Sequence, residues 1–356
     1  MQSRLLITGH LGYIGSVLAP LAARAGYDVV GLDTGYFASC TLVPDPAPIR
    51  SIARDVRDLE KSDLAGFDAV IHLAALSNDP IGNLDEGWTH EINCEASVRL
   101  AERARAAGVR RFLFSSSCIM YGMSEANVVD ENSPLDPRTE YARSKVLAEQ
   151  TIRQLARDDF SPTFLRNGTI YGLSPRMRFD TVLNDLVGTA MTTGAVVVHG
   201  DGKPWRPVIH IEDVARAFLA ALEAPPEKIH NQAFNTGADA LNYRILDLAE
   251  IVARTVPGCV VELEARSGAD QRTYKADFGK FARTFPDFQF HWTAEKGAAD
   301  LYRSFKEIGL RREHLAGRKF IRLKWLKDLL ARGELDAALR WRGAQAERRA
   351  SAGGRR

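Results

Sequence analysis

The sequence predicts an α/β protein: a doubly wound parallel sheet, a smaller C-terminal α/β lobe and a basic helical tail. Three observations predict it. The chain opens on an apolar run, a glycine-rich turn, a helical segment and a second apolar run, which is the β-α-β unit of a parallel sheet. Short continuous apolar runs then alternate with helical patterns, as expected of strands buried on both faces. The stretch from Arg311 to Arg356 carries 14 Lys and Arg against 5 Asp and Glu, whereas the rest of the chain has 33 against 40.

A chain of 356 residues with 45% hydrophobic and 26% charged residues has room for one large domain or two unequal ones. The expected division is a dinucleotide-binding domain over 1–172, with later elements returning to it near 206–240. A mainly substrate-binding lobe over 173–310 and a tail over 311–356 follow. No apolar run reaches the length of a membrane span. The four cysteines (Cys40, Cys94, Cys118 and Cys259) have no paired or metal-type spacing. A cytoplasmic protein without zinc or disulfides is expected. The tail holds no nucleic-acid motif, so it is expected to be solvated or to dock on the acidic body.

The elements follow in order. Residues 3–8 read as a short strand, and Gly9, Gly12 and Gly15 turn the chain into a helix to about Arg24. Tyr27 to Leu32 is a second strand ending at Asp33. Glycines in this setting permit a tight turn and a close backbone approach to a pyrophosphate, which the helix N-terminus then faces. Asp33, about 20 residues on, is placed to accept from ribose hydroxyls and to repel a 2′-phosphate, which favours NAD over NADP.

Ile49–Ala53 is a third strand, before Asp55 and Val56, which are placed to meet adenine or to form a turn. Phe67–Leu73 is a fourth strand, running into Ala74 and Ala75, whose small side chains would let a cofactor lie close. A helix from Trp88 to Ala107 and a fifth strand, Arg111–Ser116, deliver Ser115, Ser116 and Ser117 to the same sheet edge. A Tyr141–Arg157 helix, a Pro162–Arg166 strand and a Val182–Thr193 helix come next. Short strands at 196–198, 206–211 and 233–235 alternate with helices at 213–223 and 243–255. The tail is expected to hold helices over Ile321–Ala331 and Leu335–Arg342, with a disordered end from Arg348.

Tyr141 and Lys145 stand four apart, one helical turn on the same face. An ammonium beside a phenol favours the phenolate, lowering a tyrosine pKa from about 10. Such a tyrosine can take a proton from a substrate hydroxyl and return it. Alone, the pair is more often an accident of a helix surface.

The set in order is more specific: Thr8-Gly-x-x-Gly-Tyr13-Ile14-Gly15, Asp33, Ala74-Ala75, Asn93, Ser115-Ser-Ser117 with Tyr121-Gly122, and Tyr141-x-x-x-Lys145. Leu165-Arg-Asn167 and Arg206-Pro-Val-Ile-His210-x-x-Asp213 continue it. Over roughly residues 3–280 it resembles the extended short-chain dehydrogenase/reductase family of NAD-dependent nucleotide-sugar epimerases and dehydratases, with a Rossmann-type sheet. The resemblance implies NAD held by Gly9, Gly12, Tyr13, Ile14, Gly15, Asp33, Asp55, Val56, Leu73, Ala74, Ala75, Ser115, Tyr141 and Lys145. It also implies catalysis by Ser117, Tyr141 and Lys145, and a prop role for Asn93. Arg206 takes the place of an arginine on the substrate diphosphate, and Arg272, with Asp270 and Tyr274, that of a later nucleotide-contacting segment. A homodimer through the helices holding 88–107 and 141–157 is implied as well.

The departures narrow the reading. The family's 4,6-dehydratases follow the Ser117 position with Asp-Glu, where this chain has Cys118 and Ile119. Cys118 also stands one residue away from the cysteine base of related 3,5-epimerases, and a small buried residue is its plainer role. Thr169 replaces an asparagine that many epimerases place against the diphosphate. Asn184, Arg176 or Arg178 are candidates to replace that contact. Asn167 and Ser77 are further candidates to face substrate, although Ser77-Asn78-Asp79 equally reads as a turn. His72, His199 and His210 read as packed histidines.

The expected function is therefore an NAD-dependent nucleotide-sugar epimerase acting at C4 through a transient ketone. The alternative is an NAD(P)H-dependent reductase of nucleotide 4-keto-6-deoxysugars. A 4,6-dehydratase, a 3,5-epimerase and a non-catalytic NAD-binding scaffold rank below both. The expected partner is a nucleotide-diphosphate sugar, with no metal, nucleic acid or membrane.

Overall fold

The computed structural model describes residues 2–77, 79–82, 84–264 and 272–343. Asn78, the Asp79 side chain, Asp270 and residues 348–356 lie outside the described residues. The first part of the chain holds β1 (Arg4–Thr8), β2 (Asp28–Asp33), β3 (Arg50–Ala53), β4 (Ala69–His72), β5 (Arg111–Ser117), β6 (Met123–Val129) and β7 (Ser161–Asn167). Then come β8 (Thr169–Tyr171), β9 (Ala195–His199), β10 (Trp205–His210) and β11 (Gln232–Thr236). Seven of these make one parallel sheet, in the order β11-β7-β5-β4-β1-β2-β3.

The sheet is buried on both faces, which is why its strands read as unbroken apolar runs. Successive residues of β1 point to opposite faces. Leu5 and Ile7 pack with Leu18, Val214 and Phe218, from the Gly15–Arg24 and Ile211–Glu223 helices. Leu6 packs on the other face with Leu100, Ala104, Ala148 and Ile152, from the Ala96–Ala106 and Glu140–Arg153 helices. After β3 the chain returns to place β4 on the far side of β1. That reversal opens a crevice beyond the strand ends, and such crevices are where open α/β sheets bind ligands.

Beyond β8 the chain builds a smaller α/β part, with β12 (Asn242–Arg244), β13 (Val260–Glu264) and β14 (Thr273–Ala276). Its small sheets are ordered β12-β10-β8, β13-β9 and β14-β6. Helices over Val182–Thr193, Ile245–Thr255 and Ala294–Ile308 enclose a second core around Leu183, Leu248 and Leu301. The sequence reading did not find β6, β13 or β14. β13 alternates for only five residues and is mostly exposed, so burial leaves little pattern in it.

Two expected helices differ. The one expected from Trp88 to Ala107 is interrupted by a π-helical turn at His90–Glu95 that holds Asn93. In the tail, the Arg322–Ala331 helix forms as expected, but Leu335–Arg342 does not. Gly333, at φ +68, leaves the helix, and the Asp336 carboxylate accepts from the amides of Ala338 and Arg340. A side chain that bonds nearby main chain in this way favours a turn over a helix. Leu335 pairs instead with Trp341 in an antiparallel bridge. The tail is not a solvated appendage. Trp325, Leu326, Leu329, Leu335 and Leu339 are buried with Tyr36, Cys40, Leu76, Ile81 and Ile92 of the body.

Candidate functional site

A cleft lies beyond the C-terminal ends of β1, β2, β4 and β5. Gly9, Gly12, Tyr13, Ile14, Gly15 and Asp33 line one end of it, with Asp55 and Val56 beyond. Leu73, Ala74, Ala75 and Ser77 form a wall, and Ser115, Ser117, Tyr141 and Lys145 line it on the other side, with Asn167 and Thr169.

The glycines are dictated by contact. Gly9 has φ +76, and a Cβ there would come within 2.7 Å of the Ala74 nitrogen. A Cβ at Gly15 would lie 2.3 Å from the Gly9 carbonyl oxygen, so the helix could not start against this turn. The turn thus runs directly into the helix N-terminus at the cleft wall, where Gly12, Tyr13, Ile14 and Gly15 all line the space, an arrangement suited to phosphate. Asp33 accepts from the amides of Leu11 (3.1 Å) and Gly35 (2.6 Å), which fixes its carboxylate at the strand end. A carboxylate has about four acceptor positions, so capacity remains for ribose hydroxyls.

At the other end, Thr139 caps the Glu140–Arg153 helix by accepting from Ala142, and so places Tyr141 in its first turn. Lys145 is buried; its Nζ donates to the Ser115 carbonyl at 2.8 Å and lies 6.0 Å from the Tyr141 ring centroid. Burial pulls its pKa down to about 7. Asn167 donates to Ser115 Oγ and the Ser116 carbonyl, while its own Oδ1 is buried without a partner. Ser117 ends β5, and its Oγ accepts from the Ile119 amide at 3.3 Å. A turn suited to phosphate, a carboxylate with open acceptor positions and a tyrosine beside a buried lysine share one cleft, so the residues present fit a dinucleotide.

A family model for the NAD dependent epimerase/dehydratase family matches residues 5–237. The chain belongs to that family. The family's NAD is its cofactor, and it is an enzyme of the nucleotide-sugar short-chain dehydrogenase/reductase type. It is 29% identical over 311 residues to a UDP-glucose 4-epimerase of Corynebacterium glutamicum, covering 82% of this chain and 91% of that one. Among solved structures it is similar to an NAD-dependent NDP-hexosamine 5,6-dehydratase of tunicamycin biosynthesis (TM-score 0.77, 25% identity, 86% and 98% covered). It is also similar to MoeE5 in complex with UDP-glucuronic acid and NAD (TM-score 0.73, 26% identity, 86% and 99% covered).

Within this epimerase/dehydratase-family chain, Arg176, Asn184, Arg206, Arg272 and Tyr274, all expected at substrate, do not line the cleft. Both Arg176 Nη atoms are engaged by Asp45, at 2.9 and 2.8 Å. Asn184 accepts from the Gly172 amide and donates to Tyr13 Oη and the Arg178 carbonyl. Arg206 donates to the carbonyls of Trp205 and Arg272, next to Tyr274. Arg178 does line the cleft, pairing with Asp180 at 2.8 Å and donating to Ser77.

Asn93 holds Leu76 by both its amide and its carbonyl, so it props the wall of the cleft. Cys118 is fully buried, directs Sγ at the Arg166 carbonyl and has its pKa raised by burial. His72 lies between Thr8 and Ser97, and His210 stacks on Trp292 at 4.0 Å; burial pulls both down to about 3. His199 sits at the surface against Glu264.

Sequence reasoning missed Tyr36, Phe37, Thr181 and Arg322 in the lining. No local signal marks Arg322 among the many basic residues of the tail; only tertiary packing brings it there.

Proposed function

We propose that the protein is a nucleotide-sugar epimerase that inverts C4 through a transient 4-ketone. The observation that carries this reading is the meeting of Ser117, Tyr141 and Lys145 in the cleft that holds the glycine-rich turn and Asp33. NAD, when bound, supplies the acceptor for the C4 hydride and its return. Tyr141 removes the proton of the C4 hydroxyl and later gives it back, so the O–H and C–H bonds broken in the first half are remade in the second. Lys145 favours the phenolate while it is charged, and its bond to the Ser115 carbonyl fixes it beneath the tyrosine. Ser117 Oγ donates to the sugar oxygen as it becomes a ketone. Arg178 and Asn167 face the same space.

The absence of acid and base after Ser117 supports this reading over 4,6-elimination: Cys118 is sealed in the core and Ile119 has no proton to exchange. The similarity to UDP-glucose 4-epimerases supports a UDP-sugar as substrate. The reading also includes a homodimer packed through the Glu140–Arg153 helix, which leaves Leu147 43% exposed.

The test is turnover of UDP-glucose and other UDP-, GDP-, CDP- and dTDP-sugars by the NAD-loaded protein without added reductant. The expected product is the C4 epimer with no deuterium taken from solvent at carbon. Tyr141→Phe is expected to lower kcat by about a hundredfold or more. A product lacking the elements of water, or a strict requirement for one equivalent of NAD(P)H, would replace this reading with elimination or reduction.

A further inference from the structure

Arg322 is a guanidinium in an unusual position. It lies at the start of the Arg322–Ala331 helix, beyond the 5–237 stretch that the family model matches. Its residue surface is 2% exposed, yet it lines the cleft. One terminal nitrogen, Nη2, donates to the Arg176 carbonyl at 2.7 Å, and the guanidinium lies 4.3 Å over the Phe37 ring. The other, Nη1, is buried without a hydrogen-bond partner.

The nearby charges make the position costlier. Arg178 and Asp180 pair with each other, so Asp180 already has a cation. Burial and the Arg178 charge together pull Arg322 down to about 10. Asp180 acts on Arg322 but is shared with Arg178, so one carboxylate faces two buried guanidinium groups, and a buried donor that lacks an acceptor adds to the cost. Both costs vanish if an anion occupies the adjoining cleft.

Position identifies the anion. Arg322 lines the same cleft as Tyr13 of the glycine-rich turn and covers Phe37, four residues after Asp33. Gly15, at the start of the Gly15–Arg24 helix, and Asp33 line that cleft as well. What lies between them in a bound dinucleotide is its diphosphate. Arg178, already paired with Asp180, lies near both Tyr13 and Tyr141.

We propose that Arg322, carried in by the C-terminal tail, is a ligand of the NAD diphosphate, and that the docked tail is thereby a working part of the cofactor site. Three hydrogen bonds anchor the tail: Trp325 Nε1 donates to the Tyr36 carbonyl, Trp341 Nε1 to the Thr34 carbonyl, and Tyr36 Oη to the Leu339 carbonyl. These contacts tie the tail to the loop that follows Asp33, so the loop, the tail and the cofactor order one another. The proposal requires NAD but not any particular sugar chemistry.

The test uses the full chain freed of nucleotide. Arg322→Gln keeps an N–H for the Arg176 carbonyl and removes the charge. Charge-assisted hydrogen bonds contribute enough that the Kd for NAD⁺, read by calorimetry, is expected to rise at least tenfold. The Kd for UDP in the NAD-loaded protein is expected to stay within twofold. An NAD⁺ Kd that rises less than tenfold, or a loss confined to UDP, overturns the proposal. The unaltered chain gives a second reading that needs no variant to fold. NAD⁺ is expected to slow amide exchange over 322–331 by at least fivefold, and exchange unchanged by saturating NAD⁺ overturns the proposal.

Discussion

Lys145 carries a pH dependence that a surface lysine would lack. The unfolded chain keeps its proton to about pH 10.4, whereas the folded protein releases it near 7 because burial penalises the charge. Between those values the unfolded state binds more protons, so this residue makes the fold more stable as pH rises, by about 1.4 kcal/mol per pH unit. Below pH 7 both states are protonated and the burial cost is carried in full. Lys145→Met is therefore expected to raise the urea midpoint of the nucleotide-free protein most below pH 7, with the advantage fading toward pH 10. A pH-independent gain would contradict this. Cys118 gives the opposite kind of prediction. Because its thiol is sealed against the Arg166 carbonyl, Cys118→Ala is expected to cost about 1 kcal/mol of stability while NAD-loaded turnover stays within twofold. The shared helix face of Tyr141 and Lys145 was legible in the sequence, because the two lie one turn apart. The reach of Arg176 was not: whether it meets substrate or Asp45 depends on a residue far off in the chain.

At the scale of elements, local pattern succeeded where one element buries its own stripe or run. The glycine-rich turn, the strands of the main sheet and the Val182–Thr193 helix all follow from it. It failed where the partner decides. The π turn at His90–Glu95 shifts Asn93 so that its amide reaches Leu76, and the apolar periodicity of a helix does not register one inserted residue. Leu335–Arg342 has a helical pattern, but Leu335 and Leu339 find a better burial site against the body. The tail helix is held in the same way. Leu326 is fully buried there, so Leu326→Ala is expected to destabilise the protein by about 2–5 kcal/mol, read by urea unfolding. A cost under 0.5 kcal/mol would mean that the tail is not docked in solution.

For the whole molecule, the charge asymmetry between tail and body invites an electrostatic account of docking, and magnitudes argue against it. Arg340 meets Asp58 at 2.6 Å, but both are partly exposed, and such pairs contribute about 0.2–1 kcal/mol. Each buried leucine or tryptophan of the tail contributes about 1.5–3 kcal/mol. Raising NaCl to about one molar, where the Debye length is near 3 Å, is therefore expected to leave the tail as resistant to limited proteolysis as at low salt. Release of the tail by salt would reverse that ranking.

The sequence by itself determined the parallel sheet, the cleft at its strand ends and the Ser117, Tyr141, Lys145 and Asp33 positions. These depend on short-range periodicity and on turns that only glycine can make. Tertiary structure alone decided which arginines face the cleft. A long charged side chain reveals nothing of its target in its own neighbourhood, and Arg322 arrives from a segment far along the chain. The motif residues were visible because their spacing is local; Arg322 was not, because its place is set by what the tail buries.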